Sequence, residues 1–78
     1  MLLLITTAEG LRIEAEDALD ALRQMNARSL LPEPDAWRYM LAVSARVRRA
    51  TGQAVRCDSP ARFLADMASV GLLELEQG

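Results

Sequence analysis

Residues 11 to 16 read Leu11-Arg12-Ile13-Glu14-Ala15-Glu16. Apolar and charged side chains alternate without a break. A period of two belongs to a strand with one face on a core and the other in water. Leu11, Ile13 and Ala15 then face inward, and Arg12, Glu14 and Glu16 face outward. Upstream, Leu2 to Thr7 is apolar on both faces, and Ala8-Glu9-Gly10 joins it to the alternating run. Gly10 can supply the positive φ that closes a short hairpin, so residues 2–7 and 11–15 are predicted to pair antiparallel. A strand apolar on both faces belongs in the middle of a sheet, because as an exposed edge it invites aggregation. A third strand, from this chain or from another copy, is therefore expected beside the first.

Downstream, Asp17 to about Asn26 is predicted helical. Ala15, Ala18, Leu19, Leu22 and Met25 recur at three- and four-residue spacing. Glu16, Asp17 and Asp20 stand at its start, where acids cap the helix and complement its dipole. Residues 29 to 34, Ser-Leu-Leu-Pro-Glu-Pro, form a stiff connector, since each proline keeps its predecessor out of the helical region. Asp35 caps a long helix to about Thr51, stopped by Gly52. Ala36, Trp37, Met40, Val43, Ser44 and Val47 are predicted to form its buried face, with Trp37 in the core. Arg38, Ala42, Ala45, Arg46 and Arg49 lie opposite, Arg48 falls at the boundary and Tyr39 borders this stripe. Ala54 to Cys57 is a candidate short strand. Ser59 then caps a helix from Pro60 to Val70 that buries Phe63, Leu64 and Met67, Gly71 ends it, and Leu72 to Glu76 alternates again as a final strand.

The order predicts an α+β fold for residues 1–78 as a single small domain: a small sheet built on an N-terminal β-hairpin plus a short C-terminal strand, packed against three helices. A winged helix is the alternative to this order. It fits poorly, because the connectors between successive helices are not the tight turn of a helix-turn-helix.

Composition excludes several function classes. The chain has 78 residues, 51% of them hydrophobic and 26% charged, which is the balance of a globular chain. There is no histidine and no lysine, so the usual acid–base groups and the amine nucleophile are absent. One cysteine and no histidine exclude a tetrahedral zinc site within one chain, and no cofactor motif is present. The lone Cys57 also rules out an internal disulfide. Beside Arg56 it could act as a nucleophile, but no base accompanies it, and a small apolar residue at a strand end is the expected reading. Glu14, Glu16, Asp17 and Asp20 lack the spacing of a calcium loop, and helix capping accounts for them. An enzyme would have to work with carboxylates alone, such as Glu14 with Asp17, so no enzymatic role is expected. No segment is long and apolar enough to span a membrane, no leader is recognised, and a cytoplasmic setting is expected.

Charge carries the functional expectation. Residues 36 to 62 hold six arginines (Arg38, Arg46, Arg48, Arg49, Arg56, Arg62) against the single acid Asp58, a net of +5. Residues 1 to 35 carry a net of −4 and residues 63 to 78 a net of −3. A basic centre between acidic ends suits a surface that meets something. The expected function is a non-catalytic protein-interaction module. It would bind a protein partner through the arginine-lined helix face (Arg38, Tyr39, Arg46, Arg48, Arg49), or self-assemble as a homo-oligomer through the apolar first strand (Leu3, Ile5). The alternatives for the stripe are an ordinary solvated helix face or the phosphates of a nucleic acid. An overall pI near 5.0 counts against nucleic acid. Accessory proteins of phages and mobile elements are of this size.

Overall fold

The computed structural model describes residues 3–8 and 10–77, and of Gln77 only the backbone. Leu2, assigned by the sequence to the first strand, lies outside the described residues. Six elements follow in chain order: β1 (Leu3–Thr7), β2 (Arg12–Ala15), α1 (Ala18–Ala27), α2 (Ala36–Thr51), α3 (Pro60–Ser69) and β3 (Leu73–Gln77). They build a small α+β fold in which one antiparallel sheet, of strand order β2-β1-β3, carries the helices on a single face.

The hairpin forms where the alternation places it. Thr7 N–H donates to the Leu11 carbonyl at 2.9 Å, and Gly10 N–H donates to the Thr7 carbonyl at 2.9 Å. Gly10 sits at φ 89°, a left-handed conformation that costs a residue with a Cβ more than it costs glycine. Ile5 pairs with Ile13 in the register and Leu3 with Ala15, so the inward faces of both strands coincide. The third strand beside β1 comes from this chain: β3 pairs antiparallel with β1, setting Ile5 against Leu75 and Thr7 against Leu73. β1 is thus the central strand, as its two apolar faces require.

Each helix begins on a side-chain cap that satisfies an amide the helix cannot. Asp17 accepts from Asp20 N–H at 2.8 Å, Asp35 from Arg38 N–H at 2.8 Å and Ser59 from Arg62 N–H at 3.2 Å. α2 ends on Gly52 at φ 76°, whose N–H donates to the Arg48 carbonyl at 2.9 Å. The core gathers Ile5, Ile13, Leu22, Met40, Phe63 and Leu64, all fully buried. Each such side chain contributes roughly 1.5–3 kcal/mol relative to exposure.

Three expectations need correction. Ala54 to Cys57 forms no strand and joins no sheet among the described residues. Its polar groups are taken by side chains instead. Arg56 N–H donates to Asp66 at 2.9 Å, and the Val55 carbonyl accepts from the Ser44 hydroxyl at 3.1 Å. Trp37 is not in the core. α2 has α1 as its main neighbour, and its buried face is Ala36, Tyr39, Met40 and Val47, turned away from Trp37. Tyr39, expected beside the arginine stripe, is one of these buried residues.

Candidate interaction surface

α2 is the element from which a surface can be built, because only one flank of it is covered. At about 100° per residue, Trp37, Leu41, Ala45 and Arg48 fall on one outward arc, bordered on one side by Arg38 and Arg49. Trp37 is 51% exposed and Leu41, one turn later, 61%. The connector into α2 adds Leu30 at 98% and Leu31 at 81%. Four of the five large exposed hydrophobic side chains among the described residues therefore lie between positions 30 and 41, the fifth being Leu11.

The connector owes its shape to Asn26. Its amide donates to the Glu33 carbonyl at 2.9 Å and accepts from Glu33 N–H at 2.8 Å, a two-way bond to one backbone unit. The base of the loop is tied to the end of α1, and Leu30 and Leu31 project from its tip. Beside them a shallow hollow of about 320 Å³ opens between α1 and the start of α2, lined by Leu19, Arg23, Ala27, Pro34 and Trp37.

The arginines divide into two groups. Arg38 is exposed and its guanidinium lies 3.7 Å from Asp35, a loose pair at the helix start. Arg48 and Arg49 are exposed in the last turn, where their charge complements the helix dipole. Arg46 lies on the other flank, next to buried Tyr39. There, with Arg28, it borders an open cleft of about 340 Å³ floored by Met25, Val43 and Met67. Arg28, Arg46, Arg48 and Arg49 form no ion pair among the described residues, whereas Arg56 and Arg62 are taken by Asp66 and Asp58. The structure thus sets Arg38 beside Trp37 and Leu41 at the start of α2, with Arg48 and Arg49 about two turns past Leu41 toward its end, and sets Arg46 with Tyr39 on a separate cleft.

The remaining predicted residues sit elsewhere. Leu3 and Ile5 are buried in the core, and β3 covers the strand edge they were expected to offer, so neither side chain reaches the surface of this fold. Cys57 is half-buried against the core, its Sγ 3.6 Å from the Met40 carbonyl. Asp17 and Asp20 act as caps. The Asp20 carboxylate also accepts from Glu16 N–H at 3.1 Å and from Gln24 Nε2 at 3.2 Å. The strongest ion pair, Arg56 with Asp66, is bidentate, with both contacts at 3.0 Å. The Arg56 hydrogen bonds hold the Asp66 carboxyl below the ordinary carboxylate value, and Asp66 raises Arg56 in turn.

Sequence reasoning set Leu41 on neither face of α2 and passed over Leu30 and Leu31. A usable signal exists in the first turn and a half. Ala36, Trp37, Tyr39, Met40 and Leu41 are apolar with only Arg38 between them, an arc too wide for one neighbouring helix to cover. No helix among the described residues is long and apolar enough to cross a membrane. No family model, curated protein or solved structure matches this chain.

Proposed function

We propose that this protein is a non-catalytic interaction module that docks a protein partner on the outward face of α2 and the connector before it. One observation carries the reading: Trp37 and Leu41 stand exposed one turn apart beside exposed Arg38, with exposed Arg48 and Arg49 about two turns farther along the same side of α2. Trp and Arg are the residue types that dominate binding energy at interfaces. Apolar side chains clustered in one region of a small surface mark a contact site more than scattered ones do. The complementary partner surface is an apolar groove with an acidic rim, which the arginines would steer into register.

Light scattering during gel filtration, read with absorbance at 260 and 280 nm, is the first measurement. A mass near 8.6 kDa free of nucleic acid leaves the face for a foreign protein. A mass of two chains that falls to one in Trp37→Ala with Leu41→Ala assigns the same face to a second copy. The decisive variants are that pair and the charge reversal Arg38→Glu with Arg49→Glu. Each pair leaves the buried core untouched, so folding by circular dichroism is retained while partner affinity falls by about 2 kcal/mol or more. Binding unchanged in both folded variants sinks the reading.

The second reading is nucleic-acid binding, favoured by the guanidiniums of Arg46, Arg48 and Arg49, which form no ion pair among the described residues. Its signature is co-eluting nucleic acid whose affinity falls log-linearly and steeply with salt. The leucines and tryptophan on the same face have no role in phosphate binding and weigh toward protein.

A further inference from the structure

The cleft on the covered flank of α2 joins an apolar floor to a charged rim. Met25 and Met67 are buried in its floor, with half-buried Val43 and Leu72 beside them. Two guanidiniums border it, and different elements bring them there. Arg28 is the residue that ends α1, and Arg46 stands midway along α2. Both are exposed, and neither forms an ion pair among the described residues. No acidic side chain lines the cleft among the described residues. Glu9, the acid nearest in sequence to lining residue Ala8, lies outside them.

Backbone amides at this end of α1 are already used. Arg28 N–H donates to the Gln24 carbonyl at 3.2 Å, and Ser29 N–H donates to the Asn26 carbonyl at 3.1 Å. A polar group entering the cleft would therefore be held by side chains. The charge of Arg28 complements the dipole at the end of α1. Arg46, in mid-helix, has no such role.

Floor and rim together restrict what fits. Small-molecule sites are mostly apolar, with a few polar groups that orient the ligand. A volume of about 340 Å³ suits one small ligand. Methionine is unbranched and polarizable, so two of them can mould to a flexible hydrocarbon chain. A guanidinium matches a carboxylate in charge and in geometry. A neutral apolar ligand would leave both arginines unused, and a cation would be repelled by them. We propose that this cleft binds a single-chain amphiphilic carboxylate, a fatty acid, with its chain on Met25, Val43 and Met67 and its head at Arg28 and Arg46. The cleft is open, so the head keeps contact with water while the chain leaves it. This site lies on the other flank of α2 from Trp37 and Leu41 and stands or falls separately from the face they form.

The test titrates the full chain with decanoate below its aggregation concentration, followed by NMR of methionine methyl groups. The expected result is saturable shifts at Met25 and Met67, with Met40, fully buried outside the cleft, as the reference. Decanol should bind more weakly, because it keeps the chain and loses the charge. Arg28→Gln with Arg46→Gln should weaken decanoate about tenfold or more. Both side chains are exposed, so circular dichroism should show the fold retained. Arg12→Gln with Arg62→Gln removes the same charge elsewhere and should bind as the parent does. Glu9→Gln should not weaken binding. No saturable shift, equal affinity for decanol, or unchanged affinity in the folded Arg28 and Arg46 variant overturns the proposal. An equal loss in the Arg12 and Arg62 variant, a loss in Glu9→Gln, or shifts as large at Met40 overturn it too. Tighter binding of decyl phosphate, or of an apolar peptide through its C-terminal carboxylate, would replace the fatty acid as the occupant and overturn it as well.

Discussion

Asp66 fastens a segment that has no ladder to hold it. Its carboxylate takes the Arg56 backbone N–H and both arms of the Arg56 guanidinium, and so fixes the irregular stretch that carries buried Val55 against the core. Because its folded value is depressed below the ordinary 3.8, the pair stabilises the fold fully above that value. The contribution is lost as pH falls through the lower folded value. Asp66→Asn is therefore expected to lower the urea midpoint at pH 7, by an amount that shrinks toward zero well below pH 4. An unchanged gap between variant and parent across that range would mean the shift has another source. The same residue accounts for one failure of sequence reading. Ala54 to Cys57 has strand-like composition, but nothing local to it announces that a carboxylate on the following helix takes one of its backbone amides.

At the scale of elements, starts and stops are written locally and the rotation of a helix is not. Asp17, Asp35 and Ser59 cap α1, α2 and α3 in the structure, and Gly52 closes α2. These were legible because a cap needs only its own turn. Gly52→Ala puts a Cβ into open space, so its cost is conformational alone. About 1–2 kcal/mol is expected for an L-residue held left-handed, seen as a lower midpoint in urea with an unchanged slope. Which side of α2 turns inward depends on α1, a neighbour the helix sequence does not encode. Its apolar residues allow two rotations that differ in whether Trp37 or Tyr39 is buried. The rotation that buries Tyr39 exposes the tryptophan, and the candidate surface follows from that choice.

At the scale of the whole molecule, the sheet is closed by strands from opposite ends of the chain. Need for a third strand was legible in the two apolar faces of β1, but not which copy supplies it, since β3 is separated from β1 by all three helices. β3 brings Leu73 into the core and covers one edge of β1. A chain ending at Val70 is therefore expected to keep helical signal by circular dichroism yet lose its cooperative unfolding transition. A sharp transition retained in that truncation would show that the hairpin and helices suffice.

The pairing of Leu3 with Gln77 also sets a clock on synthesis. β1 leaves the ribosome before the helices, and its partner on that edge is translated after all three of them. At roughly 5–20 residues per second, the nascent chain carries a bare apolar edge for something on the order of 3–13 s. The helices, whose contacts are local, can form in that interval, whereas contacts between distant segments come last. A nascent chain stalled before residue 73 is thus the form of this protein most exposed to chaperones and to misassembly with its neighbours on the same polysome.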